Sequence, residues 1–122
     1  MIQDAFLTIA TPNLDRLVAF YGALLQRSPT PYQPQRYAEF RVGGLRLALF
    51  YPKADHRQEL QAAPAGALSL CLEVVDLDAA IAQLTELGYP PPGAVITASH
   101  GREIYAYDPD GNRVIVHQGP AA

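Results

Sequence analysis

The chain has 122 residues, of which 49% are apolar and 17% charged, a composition typical of a single globular domain. Its formal net charge is −3, and its nine Lys and Arg residues are scattered, which argues against a nucleic-acid partner. One cysteine excludes an intrachain disulfide and a cysteine-based zinc cluster, and no apolar run is long enough to span a membrane. The sequence MIQDAFL lacks the features of a signal peptide, so we expect a cytoplasmic protein.

The first half of the sequence predicts a strand, a helix and a loop, in that order. Residues 4–10 are predicted to form a strand, with Leu7 and Ile9 on one face and Phe6 and Thr8 on the other. Asn13 is a favourable helix N-cap, and an apolar stripe predicts that the helix runs to about Leu25. Residues 26–36 contain three prolines and are therefore predicted to form a loop.

Residues 37–50 predict a β-hairpin whose turn is Gly43-Gly44, because the runs on both sides of the two glycines alternate. This turn sets Phe40 opposite Leu47 and Glu39 opposite Ala48. The apolar face is predicted to lie in the core and comprises Ala38, Phe40, Val42, Leu45, Leu47 and Leu49. The other face comprises Tyr37, Glu39, Arg41, Arg46, Ala48 and Phe50.

The second half predicts a further strand–helix unit after a polar connector at 52–66 that has room for one helical turn. Asp76 is predicted to cap a helix that ends at Gly88. The strands of this half are predicted at about 67–75, 94–98, 103–107 and, after the turn sequence DPDGN, 113–118. Their core face comprises Leu68, Leu70, Leu72, Val74, Ile104, Ala106, Val114 and Val116. Their other face comprises Ser69, Cys71, Glu73, Glu103, Tyr105, Tyr107, Arg113, Ile115 and His117.

The two halves also repeat each other in sequence. The segments 6–25 and 69–88 align with one offset of 63 residues, which matches Asn13 to Asp76 and Leu14 to Leu77. The pattern is βαβββ twice, and the predicted fold class is α+β with two paired modules. We predict one domain over 1–122, with modules at about 1–52 and 67–118 and a connector at 53–66, and with a pocket where the halves face each other.

Three segments carry a resemblance to a known family: NLDRLVAFYGALL, LCLEVVDLDAAIAQLTELGY and YAYDPDGNRVIV. Together with the repeat, they resemble the vicinal oxygen chelate superfamily, which includes glyoxalase I, extradiol dioxygenases, fosfomycin-resistance enzymes and bleomycin-resistance proteins. The resemblance covers nearly the whole chain. It implies βαβββ modules whose mixed sheets curl around a cavity, and it implies a homodimer.

The resemblance also implies where a metal would be held. Enzymes of the superfamily place a His or Gln in the first strand, a His in the fifth, a Glu in the last and sometimes a Glu in the fourth. The matching positions of this sequence are Phe6, Ser69, Ile115 and Ala48. Three of these have no donor atom, and a neutral serine hydroxyl is a poor ligand for a divalent metal. We therefore expect no metal and no other cofactor.

Ten residues are predicted to line the ligand pocket: Phe6, Tyr37, Glu39, Ala48, Phe50, Ser69, Glu103, Tyr105, Ile115 and His117. Tyr105 matches a position that holds a pocket tyrosine in members resembling fosfomycin-resistance proteins. Glu39 is expected either to pair with Arg41 or Arg46 or to meet a polar ligand, because an unpaired buried carboxylate is costly. No catalytic residue is assigned, and Cys71 is not expected to be a nucleophile because no partnered base is evident. His56, Arg57, His100 and Arg102 are expected in solvated loops.

Three functions are compatible with these residues. The first is metal-independent binding of a small aromatic or amphipathic molecule, as in the bleomycin-resistance branch. The second is a metal-dependent lyase or dioxygenase with displaced ligands, for which Glu39, Glu103 and His117 are the candidate donors. The third is a non-catalytic interaction or regulatory module. The first is preferred, so the chain is expected not to be an enzyme.

Overall fold

A computed structural model of the chain describes residues 1–62 and 66–120. The chain divides into two compact units, Met1–Ala63 and Pro64–Ala122, and this boundary falls within the predicted connector. Each unit contains one four-stranded mixed sheet together with helix, which confirms the predicted α+β class. That the two units form one domain stays a prediction, and residues 63–65 of the predicted connector lie outside the described residues.

The first unit has four strands: β1 (Leu7–Ala10), β2 (Tyr32–Gln33), β3 (Tyr37–Val42) and β4 (Leu45–Phe50). Their order in the sheet is β1-β4-β3-β2, with β1 parallel to β4 and the other pairs antiparallel. Helix α1 spans Leu14–Leu25, and a short 3₁₀ turn at Ala54–His56 leads into α2 at Arg57–Ala62. The predicted hairpin register is confirmed, with Phe40 opposite Leu47 and Glu39 opposite Ala48.

Helix α1 forms where its cap and its apolar stripe predict it. The side chain of Asn13 accepts a hydrogen bond from the Arg16 amide at 3.2 Å, which satisfies one of the free N–H groups of the first turn. The helix packs on β3 and β4. The core of this unit is fully or almost fully buried and comprises Leu14, Leu17, Val18, Phe20, Tyr21, Ala38, Phe40, Leu47 and Leu49. Val42 and Leu45, beside the hairpin turn, are only half-buried.

The second unit repeats this arrangement. Its strands are β5 (Ser69–Glu73), β6 (Ile96–Ala98), β7 (Gly101–Tyr107) and β8 (Arg113–Gln118), and its helix α3 spans Leu77–Glu86. The order is β5-β8-β7-β6, again with only the first pair parallel. The side chain of Asp76 caps α3 by accepting a hydrogen bond from the Ala79 amide at 3.1 Å. Asn13 makes the corresponding bond in the first unit, at the same offset of 63 residues that relates the two halves of the sequence. The core of this unit comprises Leu70, Leu77, Ala80, Leu84, Ile104, Ala106, Val114 and Val116.

The segment 26–36 is not wholly a loop, because β2 pairs Tyr32 and Gln33 with β3. The prediction was wrong because the prolines flank these two residues without occupying them, and an edge strand tolerates neighbouring prolines. Backbone hydrogen bonds continue around the strand, from the Thr30 amide to Glu39 O at 2.8 Å and from the Glu39 amide to Pro31 O at 3.1 Å.

Two predicted strands are shorter than the alternation of the sequence indicates. Strand β1 begins at Leu7, which leaves Phe6 outside the sheet. Strand β5 begins at Ser69, where its partner β8 also begins, so Leu68 has no partner in the ladder. Leu68 is 81% exposed, so its assignment to the core was wrong. Val74 also lies beyond the strand and is half-buried.

The β6–β7 hairpin is tighter than predicted. Strand β7 begins at Gly101 rather than at 103, and Ala98 pairs directly with Gly101. The turn therefore consists of Ser99 and His100 alone, and Arg102 lies in the sheet rather than in a loop. Of the helices within 1–62 and 66–120, none is long and apolar enough to cross a membrane.

Candidate functional site

Four predicted pocket residues of the first unit alternate with the core residues of β3 and β4 and therefore lie on the sheet face opposite α1: Tyr37, Glu39, Ala48 and Phe50. Glu39 is buried and accepts a hydrogen bond from the Tyr37 hydroxyl at 3.0 Å. Its Oε1 lies 3.3 Å from Arg41 Nη2 and 3.4 Å from Arg46 Nε. Of the alternatives left open by the sequence, pairing with an arginine is therefore realised, and both arginines take part. Burial and then the hydrogen bond to Glu39 raise the pKa of Tyr37.

Arg46 links this group to the residue at the first predicted ligand position. Its Nη2 donates to Asp4 Oδ2 at 2.6 Å, and its guanidinium lies 4.1 Å from the centroid of the Phe6 ring. The hydrogen bond from Arg46 lowers the pKa of Asp4. The positive charges of Arg41 and Arg46 are thus matched by the negative charges of Asp4 and Glu39, next to the cation–π contact between Arg46 and Phe6.

The four positions at which the resemblance implies metal ligands do not fit a metal. In the first unit, the Arg46 guanidinium lies 4.1 Å from the Phe6 ring centroid and would repel a second cation, and Ala48 is fully buried. In the second unit, Ile115 has no donor atom, and the Ser69 hydroxyl accepts a hydrogen bond from Arg113 Nη1 at 3.0 Å. These four residues therefore do not provide a set of metal ligands.

The second unit places three ionisable side chains in one row across its sheet. In the β5-β8-β7 register, His117 is the partner of both Glu73 and Glu103. His117 Nδ1 lies 2.6 Å from Glu73 Oε1. The sequence correctly predicted that these three residues share a face, since they alternate with the buried Val116 and Ile104.

His100 joins this row from the β6–β7 turn, which sequence reasoning missed. Its ring stacks on that of His117 with centroids 5.3 Å apart and planes 6° from parallel, and its Nε2 lies 3.4 Å from Glu103 Oε1. One donor atom from each of His100, Glu103 and His117 lies within 4.8 Å of the others. The signal that could have found His100 is the two-residue hairpin, which brings its central residues close to the strand pair. Glu39, the third donor of the displaced-ligand hypothesis, instead lies in the first unit and is paired with arginines.

Tyr105 and Cys71 lie on the same face of the second sheet. Tyr105 is 41% exposed, and the Arg113 guanidinium lies 6.0 Å from its ring centroid. Cys71 is exposed overall, yet burial of the thiol first and the charges of Glu73 and Glu103 second raise its pKa. The thiol is therefore protonated near neutral pH, and a protonated thiol is a weak nucleophile.

A cavity that the sequence did not predict lies in the first unit. It measures about 200 Å³ and is lined in part by Thr11, Pro12, Tyr51, Arg57 and Leu60. The Arg57 guanidinium lies 4.7 Å from the Tyr51 ring centroid, and Arg57 Nε donates to Pro52 O at 3.3 Å, so Arg57 is not simply solvated. His56 is exposed, 3.8 Å from Asp55. None of the ten predicted pocket residues lines this cavity, and whether they form a pocket stays a prediction.

Comparison with known proteins agrees with the geometry of each unit. Residues 5–116 match the profile of the Glyoxalase/Bleomycin resistance protein/Dioxygenase superfamily. The chain is 32% identical over 119 residues to the metallothiol transferase FosB of Shouchella clausii, covering 95% of this chain and 80% of that protein. It is 25% identical, with a TM-score of 0.68, to a glyoxalase/bleomycin resistance protein from Catenulispora acidiphila, covering 96% and 98% of the two chains. A fosfomycin resistance protein FosX from Listeria monocytogenes has the same fold, with 18% identity, a TM-score of 0.73 and coverage of 98% and 96%.

Proposed function

Because this chain belongs to the Glyoxalase/Bleomycin resistance protein/Dioxygenase superfamily, we propose that it binds a small aromatic or amphipathic molecule without a metal at the superfamily's ligand positions. The observation that carries this proposal is the contact between Arg46 and Phe6. A guanidinium 4.1 Å from the ring centroid, held by Asp4 and Glu39, puts a fixed positive charge where the first metal ligand is expected. A divalent cation placed there would be repelled.

The chemistry of the exposed side chains supports an aromatic or amphipathic ligand. Phe6 and Tyr105 are 47% and 41% exposed, so each offers ring surface that a ligand can cover. Polar groups of the two units are held by hydrogen bonds: the Tyr37 hydroxyl donates to Glu39, and Arg113, next to Tyr105, donates to Gly66 O and Ser69 Oγ. Apolar surface with a few positioned polar groups is typical of small-molecule sites.

A second candidate function is a metal-dependent enzyme with displaced ligands. The relative from Shouchella clausii is a metallothiol transferase by name, and the group of His100, Glu103 and His117 offers donors of the right type. This candidate requires a metal in the second unit, and titration of the metal-free protein with zinc tests for one.

The small-molecule proposal predicts that Tyr105→Phe weakens ligand binding. A panel of aromatic, cationic and oxyanionic metabolites, screened by thermal shift on protein treated with EDTA, should give at least one ligand that raises the melting temperature. Loss of one hydroxyl contact should reduce its affinity by about tenfold, with little change in the melting temperature of the free protein.

Tyr51→Phe is the matched control, because Tyr51 is 40% exposed, almost the same as Tyr105, but lines the cavity of the first unit. If wild type and Tyr105→Phe bind the ligand with equal affinity while Tyr51→Phe binds it more weakly, the ligand site lies instead in the cavity beside Arg57. A screen that gives no ligand would instead favour an interaction module.

We also propose a homodimer, which is expected in the cytoplasm. Among residues 1–62 and 66–120, the outermost strands of each sheet pair with a neighbouring strand on one side only, and a second copy can cover such edges. Sedimentation velocity at micromolar concentration should therefore give twice the chain mass of 13.2 kDa. A concentration-independent monomer would contradict the proposal.

A further inference from the structure

We infer that His100, Glu103 and His117 form a binding site for one divalent transition-metal ion, with Glu73 as a positioning residue. The site is built within the second unit, from β7, β8 and the turn before β7. It shares no residue with the superfamily's ligand positions, which fall on Phe6, Ala48, Ser69 and Ile115. The inference is independent of small-molecule binding, which is measured without metal.

The donor set suits a first-row transition metal. Two imidazoles and one carboxylate favour zinc and its neighbours, whereas magnesium and calcium prefer oxygen ligands throughout. Glu73 and Glu103 supply two negative charges to balance a divalent ion. In the part of the chain that the structure describes, neither carboxylate is bridged by a lysine or arginine. Arg102 pairs with Asp78 at 3.1 Å, and Arg113 donates to Gly66 O and Ser69 Oγ.

Of the three proposed metal ligands, His117 is the one whose hydrogen-bonding groups are left unsatisfied by the described residues. Its side chain is only 13% exposed, and neither ring nitrogen forms a well-aligned hydrogen bond with the described residues. Glu73 Oε1 nevertheless lies 2.6 Å from Nδ1. A carboxylate against one imidazole nitrogen fixes the tautomer and directs the other nitrogen towards a metal.

The distances require a small adjustment that the fold permits. Bonds of about 2.0–2.2 Å to a common zinc ion require the donors to approach more closely than their present spread of up to 4.8 Å. A metal must also lie in the plane of each imidazole ring, whereas the two rings are stacked. His100 can supply the movement, because its side chain is 64% exposed and lies in a two-residue turn. Three protein ligands then leave a fourth position open to water or a ligand.

The test is a calorimetric titration of the untagged full-length chain with zinc chloride after removal of metal with EDTA. We expect about one zinc ion per chain, and a loss of affinity of at least about tenfold in His100→Ala and in Glu103→Gln. Glu73→Gln should lower the affinity by about 10–100-fold while leaving the metal-free melting temperature unchanged, as a positioning role requires. Cobalt(II), added in place of zinc, should give visible absorption bands that change in the same variants.

His56→Ala is the matched control, because His56 is also an exposed histidine next to a carboxylate but belongs to the first unit. Its affinity for zinc should equal that of the wild type. The inference is wrong if the wild type takes up no zinc. It is equally wrong if His100→Ala and Glu103→Gln bind zinc as tightly as His56→Ala does. Ligand binding in the presence of EDTA is measured separately, so failure of this site and failure of the proposed function are distinguishable.

Discussion

Replacing Leu47 with alanine is expected to lower the free energy of unfolding by about 2–5 kcal/mol. Leu47 is fully buried on β4, where it pairs with Phe40 on one side and Leu7 on the other. Truncation removes buried methyl groups and leaves a cavity that a four-stranded sheet under a helix can close only in part. Urea denaturation followed by circular dichroism measures the change.

Leu68→Ala is the matched control for this experiment, because it makes the same chemical change at a side chain that is 81% exposed. Its effect should stay within about 0.5 kcal/mol. Alternation of the sequence predicted that both leucines lie in the core, whereas in the structure only Leu47 does. Comparing the two substitutions therefore tests the structure against that prediction. Equal destabilisation by the two substitutions would contradict the observed start of β5.

Replacing Gly101 with alanine is expected to lower the free energy of unfolding by about 2–5 kcal/mol, because two unfavourable effects add. Gly101 has φ of 130°, a conformation that side chains with a Cβ rarely adopt. In addition, a Cβ at this buried position would collide with the backbone carbonyl oxygen of Gln118. The strand pair must separate locally, and thermal unfolding should report a large fall in the melting temperature.

Gly93→Ala tests whether the effect at Gly101 is specific. Gly93 is exposed, has no positive φ, and an added Cβ would meet nothing within 4 Å. Its substitution should change stability by less than about 1 kcal/mol. A mild effect at both glycines would mean that the backbone of the β6–β7 hairpin relaxes easily and that Gly101 does not fix the position of His100.

The sequence was sufficient to predict the features that depend on local chemistry. Asn13 and Asp76 cap their helices, and Gly43-Gly44 sets the register of β3 and β4. These features depend on residues within a few positions of one another, so the rules of periodicity, capping and turn formation are enough to predict them. The same rules placed Glu103 and His117 on one face of the second sheet.

The features that were missed depend on partners distant in sequence. The length of β5 is limited by where β8 begins, and β2 exists because β3 offers it an edge. His100 lies close to Glu103 and His117 because Ala98 pairs with Gly101 across a two-residue turn, whereas the prediction began this strand at 103 and so left His100 in a longer loop. Candidate site residues on a shared strand face were predictable, but the turn residue that completes the group was not.

The contact between Arg46 and Phe6 also couples the effects of substitutions at these two positions. A histidine at position 6 would meet a guanidinium held in place by Asp4 and Glu39, so the first step towards a metal ligand brings no gain by itself. Loss of Arg46 alone would leave the buried Glu39 with a weaker set of partners. Substitutions at positions 6 and 46 are therefore expected to change stability non-additively, because each alters the surroundings of the other.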